Sequence, residues 1–157
     1  MRSLSELTLA GFVDAVGQDR PSPGCGGAAA VSLALGAACA RKAFAISARH
    51  QGGEAELEAA AERCRILSEA AIVGVQRDAV NFEALLKGPR GTDQPALALE
   101  GDAQVLIALA TELRALVERH ADAIDARLAG DAAAALALAD AFEQIQTRNL
   151  MEIEPRT

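Results

Sequence analysis

The 157-residue chain has no tryptophan, no tyrosine and an aromatic share of only 3%. Single-stranded nucleic acid is held by stacking bases on aromatic rings, and any nucleic acid by clustered Lys and Arg that neutralise phosphates. Here fifteen Lys and Arg face twenty-two Asp and Glu, a formal charge of −7 with no basic cluster, so no nucleic-acid partner is expected. Long apolar runs are missing too. The longest, Ala28 to Ala40, stops at Arg41 and Lys42, short of the ~20 residues a membrane span needs, so no membrane partner is expected. Arg2 is followed by Ser5 and Glu6, where a secretion signal would place its apolar segment. The expected location is cytoplasmic. Cysteine and histidine are scarce. Cys25, Cys39 and Cys64 form no CxxC pair, and an odd number without a signal peptide does not read as a disulfide framework. With His50 and His120 they supply no ligand set at usual spacing, so no metal is expected.

What is present is helix-forming sequence. Apolar residues make up 51% of the chain and charged residues 24%, the balance of one ordinary globular domain spanning residues 1–157. No stretch sustains the alternation of a strand, and Pro and Gly fall into a few clusters that cut the chain into helical pieces. The fold class is therefore all-α, an elongated antiparallel bundle of four long helices behind a short N-terminal one. Thr8 caps the short helix, with Phe12, Val13 and Val16 on one face. A second helix over about Ala28–Ala48 is apolar nearly all round, with a small-residue seam at Ser32, Gly36 and Ala40 that lets another backbone approach. A third runs from Glu54 to about Leu86. Its stripe of Leu57, Ala61, Cys64, Ser68, Ala71, Val75, Asp78, Phe82 and Leu85 alternates steps of four and three, the spacing of helices packed at a shallow angle. At 1.5 Å per residue that helix is about 50 Å long, more than the ~40 Å diameter of a compact chain of this size. A homodimer is expected to cover its ends. Lys87–Pro95 reads as a loop and Asp102–Leu128 as a fourth helix with Leu106, Leu109, Leu113, Leu116, His120, Ile124 and Leu128 on one face. Gly130 ends it. Asp131 caps a last helix striped by Leu138, Phe142, Ile145, Asn149 and Ile153, and Pro155 marks its finish.

Polar residues on apolar stripes carry the functional information, because burying a charge or amide without a partner is costly. Asp78 stands between Val75 and Phe82. It is either a carboxyl with a raised pKa, as a general acid or base requires, or a buried Asp paired to an Arg or a helix end. Asn149 either meets a ligand's polar edge or joins two helices. His120, between Leu116 and Ile124, is either a proton shuttle or a satisfied core or interface residue. The loop Pro21-Ser22-Pro23-Gly24-Cys25-Gly26-Gly27 delivers bare amides to the start of a buried helix, a seat for an anion, unless its glycines only let helices crowd together. It lacks the Gly-Lys-Ser/Thr of a Walker loop. Cys25 lies beside those amides without a histidine near it in sequence to act as its base. Lys87 and Arg90 follow the Asp78 helix as carboxylate or phosphate binders, or as a solvated pair of cations.

Together these residues resemble the cyclodeaminase/cyclohydrolase family, the helical enzymes that include the cyclodeaminase portion of formiminotransferase-cyclodeaminase and the methenyltetrahydrofolate cyclohydrolases. Pro21 to Ala30, continuing to Leu35-Gly36-Ala37-Ala38, is similar to that family's Pro-x-Pro-Gly-Gly-Gly-Ser loop and following helix. Asp78, Phe82, Lys87, Pro89 and Arg90 repeat its Asp-x-x-x-Phe and Lys-x-Pro-Lys spacing. Cys25 replaces the second loop glycine and Gly27 replaces the serine, and Ala45-Ile46-Ser47-Ala48-Arg49-His50 stands where the family carries a basic stretch.

The resemblance implies an all-helical homodimer that takes a tetrahydrofolate derivative as substrate and needs no cofactor. It implies closure of 5-formiminotetrahydrofolate to 5,10-methenyltetrahydrofolate with release of ammonia, or alternatively hydrolysis of the methenyl bridge to 10-formyltetrahydrofolate. Asp78 is then the proton-moving group. Pro23, Gly24, Cys25, Gly26, Gly27, Phe82 and Asn149 line the site, and Lys87 and Arg90 attract the glutamate tail. The rival from another class is a helical dimer scaffold that has lost the folate site.

Overall fold

The computed structural model describes residues 3–88 and 94–153, with the side chain of Ile153 outside the description. After a 3₁₀ turn at Leu4–Glu6 come α1 (Leu9–Val16), α2 (Cys25–His50), α3 (Ala55–Lys87), α4 (Gln94–Arg119) and α5 (Ala129–Ile153), all α-helical. No strand occurs among the described residues. The all-α expectation holds. α2 packs on α3 and α5, and α4 closes the ring on the other side, touching α3 and α5 while sitting diagonally across from α2.

Local chemistry accounts for the boundaries. The Thr8 hydroxyl accepts the Gly11 N–H at 3.1 Å and starts α1 as a side-chain cap does. Phe12 is buried, but Val13 is 63% exposed, so the expected apolar face is narrower than drawn. α2 begins at Cys25 rather than Ala28, because the glycines after Gly24 already adopt helical geometry. It ends in a turn that only glycine takes without strain, Gly52 and Gly53 having φ of 83° and 89°. Ser47 is buried there, and its Oγ accepts the Asp125 N–H at 2.9 Å, tying the α4–α5 connection to the core.

With 26 residues, and a mean hydropathy of 1.5 over an 18-residue window, α2 is long and apolar enough by composition to cross a membrane. Its position explains that composition, since Leu33, Ala37, Ala40 and Phe44 are fully enclosed between α3 and α5. The small-residue seam does what its spacing predicts. A Cβ added at Gly36 would stand 3.1 Å from the Ala135 carbonyl and 3.2 Å from Leu138 Cβ, so α5 approaches there almost backbone to backbone.

Boundaries of α4 and α5 also differ from expectation. α4 starts at Gln94 and ends at Arg119, not Asp102 and Leu128. Pro95 belongs to its first turn, where a missing N–H costs nothing, and the apolar spacing past Arg119 is carried by 3₁₀ turns at Ala121–Ala123 and Ala126–Leu128. Gly130 and Asp131 lie inside the first turn of α5; Gly130 does not end a helix there, and Asp131 does not cap one but holds Lys42 at 2.9 Å. The buried face of α5 is Ala135, Ala139, Phe142 and Gln146, with Leu138 and Ile145 only half-buried. Pro155 lies outside the described residues.

Candidate active site

The start of α2, the end of α3, the start of α4 and the end of α5 meet at one end of the bundle around a cleft of about 360 Å³. Phe82, Leu99 and Leu106 form apolar walls, and Asp78, Asp102 and Gln146 add polar groups. That volume lies within the range typical of small-molecule sites, as does a mostly apolar wall carrying a few convergent polar groups.

Asp78 is the chemical centre. Its carboxyl lies over the first turn of α2 and occupies the space beside Gly26. A Cβ added at Gly26 would come within 2.9 Å of Oδ2 and 2.7 Å of Cγ, and closer still to Oδ1. Position 26 must therefore be glycine for Asp78 to sit where it does. Burial pushes the Asp78 carboxyl up to about 6 from 3.8, the Gly27 N–H bonded to it pulls the other way, and the neighbouring negative charge of Asp102 adds to the rise. The glycine-rich start of α2 thus faces the protein's own Asp78 carboxyl, to which Gly27 donates its N–H. Asp102, which the sequence did not single out, is fixed by Arg77 at 2.5 Å and by the Asn81 amide at 2.7 Å.

The remaining expected residues divide by place. Gly24, Cys25, Gly26, Phe82 and Asn149 line the cleft with Asp78. Gly27 is buried behind it and acts through its N–H. Pro23 and Lys87 are not on this cleft but on a neighbouring hollow that shares Pro21 with it. Lys87 is exposed and reaches back to Glu83 at 2.9 Å. Arg90 falls outside the described residues. Asn149 is held within the protein, its Oδ1 accepting the Cys25 thiol at 3.2 Å and its Nδ2 donating to Gln146 Oε1 at 3.1 Å. His120 packs edge-on against Phe44 with ring centroids 5.7 Å apart, about 27 Å along α2 from Gly26. It is half-buried there, away from the cleft. Among the other cysteines, burial pushes the Cys64 thiol up to about 12, which leaves it inert.

Gln146 escaped the sequence reading. It is 3% exposed and lines the cleft, and its signal was the run Ala135, Ala139, Phe142, Gln146, Asn149, which alternates four and three as the α3 stripe does.

Fold and site together define an all-helical bundle with a desolvated carboxyl in a terminal cleft. A sequence model of the formiminotransferase-cyclodeaminase family matches residues 8–150. The chain belongs to that family. Among solved structures, formiminotetrahydrofolate cyclodeaminase from Thermotoga maritima has a similar fold, with a TM-score of 0.90 over 96% of this chain and 79% of that chain at 22% identity. No curated protein sequence matches the chain.

Proposed function

We propose that this chain is a folate one-carbon enzyme that closes 5-formiminotetrahydrofolate to 5,10-methenyltetrahydrofolate and releases ammonia. The observation that carries the reading is the Asp78 carboxyl, half-buried in the cleft with its pKa raised to about 6, a value suited to taking and giving protons near neutral pH. Family membership supports it.

In this reading N10 attacks the protonated formimino carbon on N5 and forms a tetrahedral centre. Asp78 takes the proton that N10 must lose and delivers it to the amino group, which leaves as ammonia. The C–N bond to the departing nitrogen breaks as the methenyl cation forms, so charge and atoms balance. The apolar walls limit competing water, and the ionised carboxylate stabilises the cation. A tetrahydrofolate derivative is then the small-molecule partner, with no further cofactor in the step. A homodimer goes with this reading, supported by the outward apolar face of α2, where Leu35 is 51% exposed.

The test is spectroscopic. Purified chain mixed with 5-formiminotetrahydrofolate should produce the near-ultraviolet methenyl band, and Asp78→Asn should lower that rate by at least about a hundredfold without loss of folding. Accelerated decay of methenyltetrahydrofolate in a parallel mixture, with no band in the first, would assign hydrolysis instead. No change in either mixture and no folate binding by calorimetry would overturn the enzyme reading in favour of a scaffold.

A further inference from the structure

Gln146 is the most enclosed polar side chain on the cleft wall, 3% exposed. Its Oε1 is engaged, accepting from Asn149 Nδ2 at 3.1 Å, while Asn149 Oδ1 accepts the Cys25 thiol at 3.2 Å. Its Nε2 donates to no protein acceptor among the described residues, yet no fully buried side-chain nitrogen or oxygen among them lacks a partner. An amide nitrogen that is neither bonded nor sealed, on a side chain this enclosed, opens onto the space the residue lines. That space is the cleft.

We infer that Gln146 contacts the substrate, its NH₂ donating a hydrogen bond to an acceptor atom on the ring edge of a bound heterocycle. The inference rests on the folate reading above and adds a specificity residue to it. A glutamine amide has two ends of nearly equal size, so an unrestrained one offers a ligand either a donor or an acceptor. Here Asn149 fixes the choice, because reversing Gln146 would turn its NH₂ against the Asn149 NH₂. Asn149 is in turn oriented by Cys25. Asn149 and Cys25 are therefore positioning residues that act through Gln146, which accounts for a cysteine where the resembling loops carry glycine. The cleft selects a ring with an acceptor, a lactam oxygen or imine nitrogen, at the Gln146 position.

The test uses the full chain and 5-formyltetrahydrofolate as a non-reacting probe, beside turnover of 5-formiminotetrahydrofolate. Gln146→Leu removes the donor and leaves a ligand acceptor unpaired, so Kd for the probe and KM for the substrate should each rise about tenfold, with kcat within about threefold because the ring is held alike in ground and transition states. Gln146→Glu, which keeps the shape but offers an acceptor, should weaken binding at pH 8 at least as much. Asn149→Asp should raise KM by a smaller factor by releasing the orientation. Should Gln146→Leu fail to fold, the side-chain NH₂ resonances of Gln146 in the wild-type chain, assigned by their loss in Gln146→Glu, should shift and exchange more slowly with the probe bound. Unchanged Kd in a folded Gln146→Leu, or unmoved NH₂ resonances at saturating probe, would overturn the inference while leaving wild-type folate chemistry intact. A wild-type chain that neither binds the probe nor turns over the substrate would defeat both readings together.

Discussion

Replacing Asp78 with Asn removes one proton equilibrium and leaves nearly the same shape. Burial first, and Asp102 in addition, raise the carboxyl from 3.8 to about 6, while the Gly27 N–H restrains the rise. Because the folded-state pKa lies above the unfolded one, the folded protein holds more protons between those values, and the group's contribution to stability falls as pH rises through that window. With 1.36 kcal/mol per unit, the ionised carboxylate costs about 1 kcal/mol at pH 4.5 and about 3 kcal/mol at pH 8, relative to a neutral group. The amide that replaces it is neutral at every pH. The Asp78→Asn variant should therefore exceed the wild type in stability by a margin that grows by about 2 kcal/mol between pH 4.5 and 8, a difference of about 4–8 °C in Tm for a chain of this size. Urea unfolding followed by circular dichroism at both pH values gives the margin. Taking wild type minus variant cancels other titrating groups, such as Asp125, which Arg127 holds well below the usual carboxylate range. A margin that stays flat with pH would mean Asp78 is as solvated folded as unfolded, and the proton-relay argument would lose its basis.

Gly26→Ala should destabilise by about 1–2 kcal/mol, since an added methyl driven into the Asp78 carboxyl costs about 1–3 kcal/mol and the gain in helix propensity returns only about 0.5–1. Turnover should fall with it, and in a double-mutant cycle Asp78→Ala should restore most of the lost stability, checked by chemical denaturation. Asp102→Asn removes a like charge that raises the Asp78 pKa, so the acid limb of kcat/KM, expected near 6, should move to lower pH. Profiles between pH 5 and 8 would read the shift, and a limb that does not move would remove Asp102 from the tuning of Asp78.

Long elements with large side chains on their stripes are legible in the sequence. The pattern places α3 from Glu54 to Leu86 and the helix runs Ala55–Lys87, because Leu57, Val75 and Phe82 make its period unmistakable. Alanine hides the rest. On α5 the bulky Leu138 and Ile145 draw the stripe to themselves, whereas the face that meets α2 is built from Ala135 and Ala139, since the close crossing at Gly36 leaves no room for anything larger. A stripe drawn one position off is what conceals Gln146. Pro95 looks like a loop marker, although proline in a first helical turn is as ordinary as proline in a loop, and α4 loses its start to that ambiguity. Asp78 is visible because a carboxylate on an apolar stripe contradicts its surroundings. Asp102 is not, because a charge near the start of a helix looks like solvated surface until Arg77 and Asn81 are seen to hold it.

Four costs to stability collect in one place. Position 26 forgoes alanine to leave room for a carboxyl, and Gly74 forgoes it where a Cβ would stand 2.9 Å from the Leu106 methyls on the cleft wall. Position 78 holds an acid where Leu or Ala would pack, and position 146 an amide with one end unanswered by protein. All four border the same cleft. A bundle that served only as a scaffold could relieve the acid and the amide by single substitutions towards leucine, closing the void, and with a small residue at position 78 it could then take alanine at position 26 and gain helix propensity. Departures from local rules that converge on one void are what a retained binding site produces. Drift in a scaffold would scatter them along the helices instead.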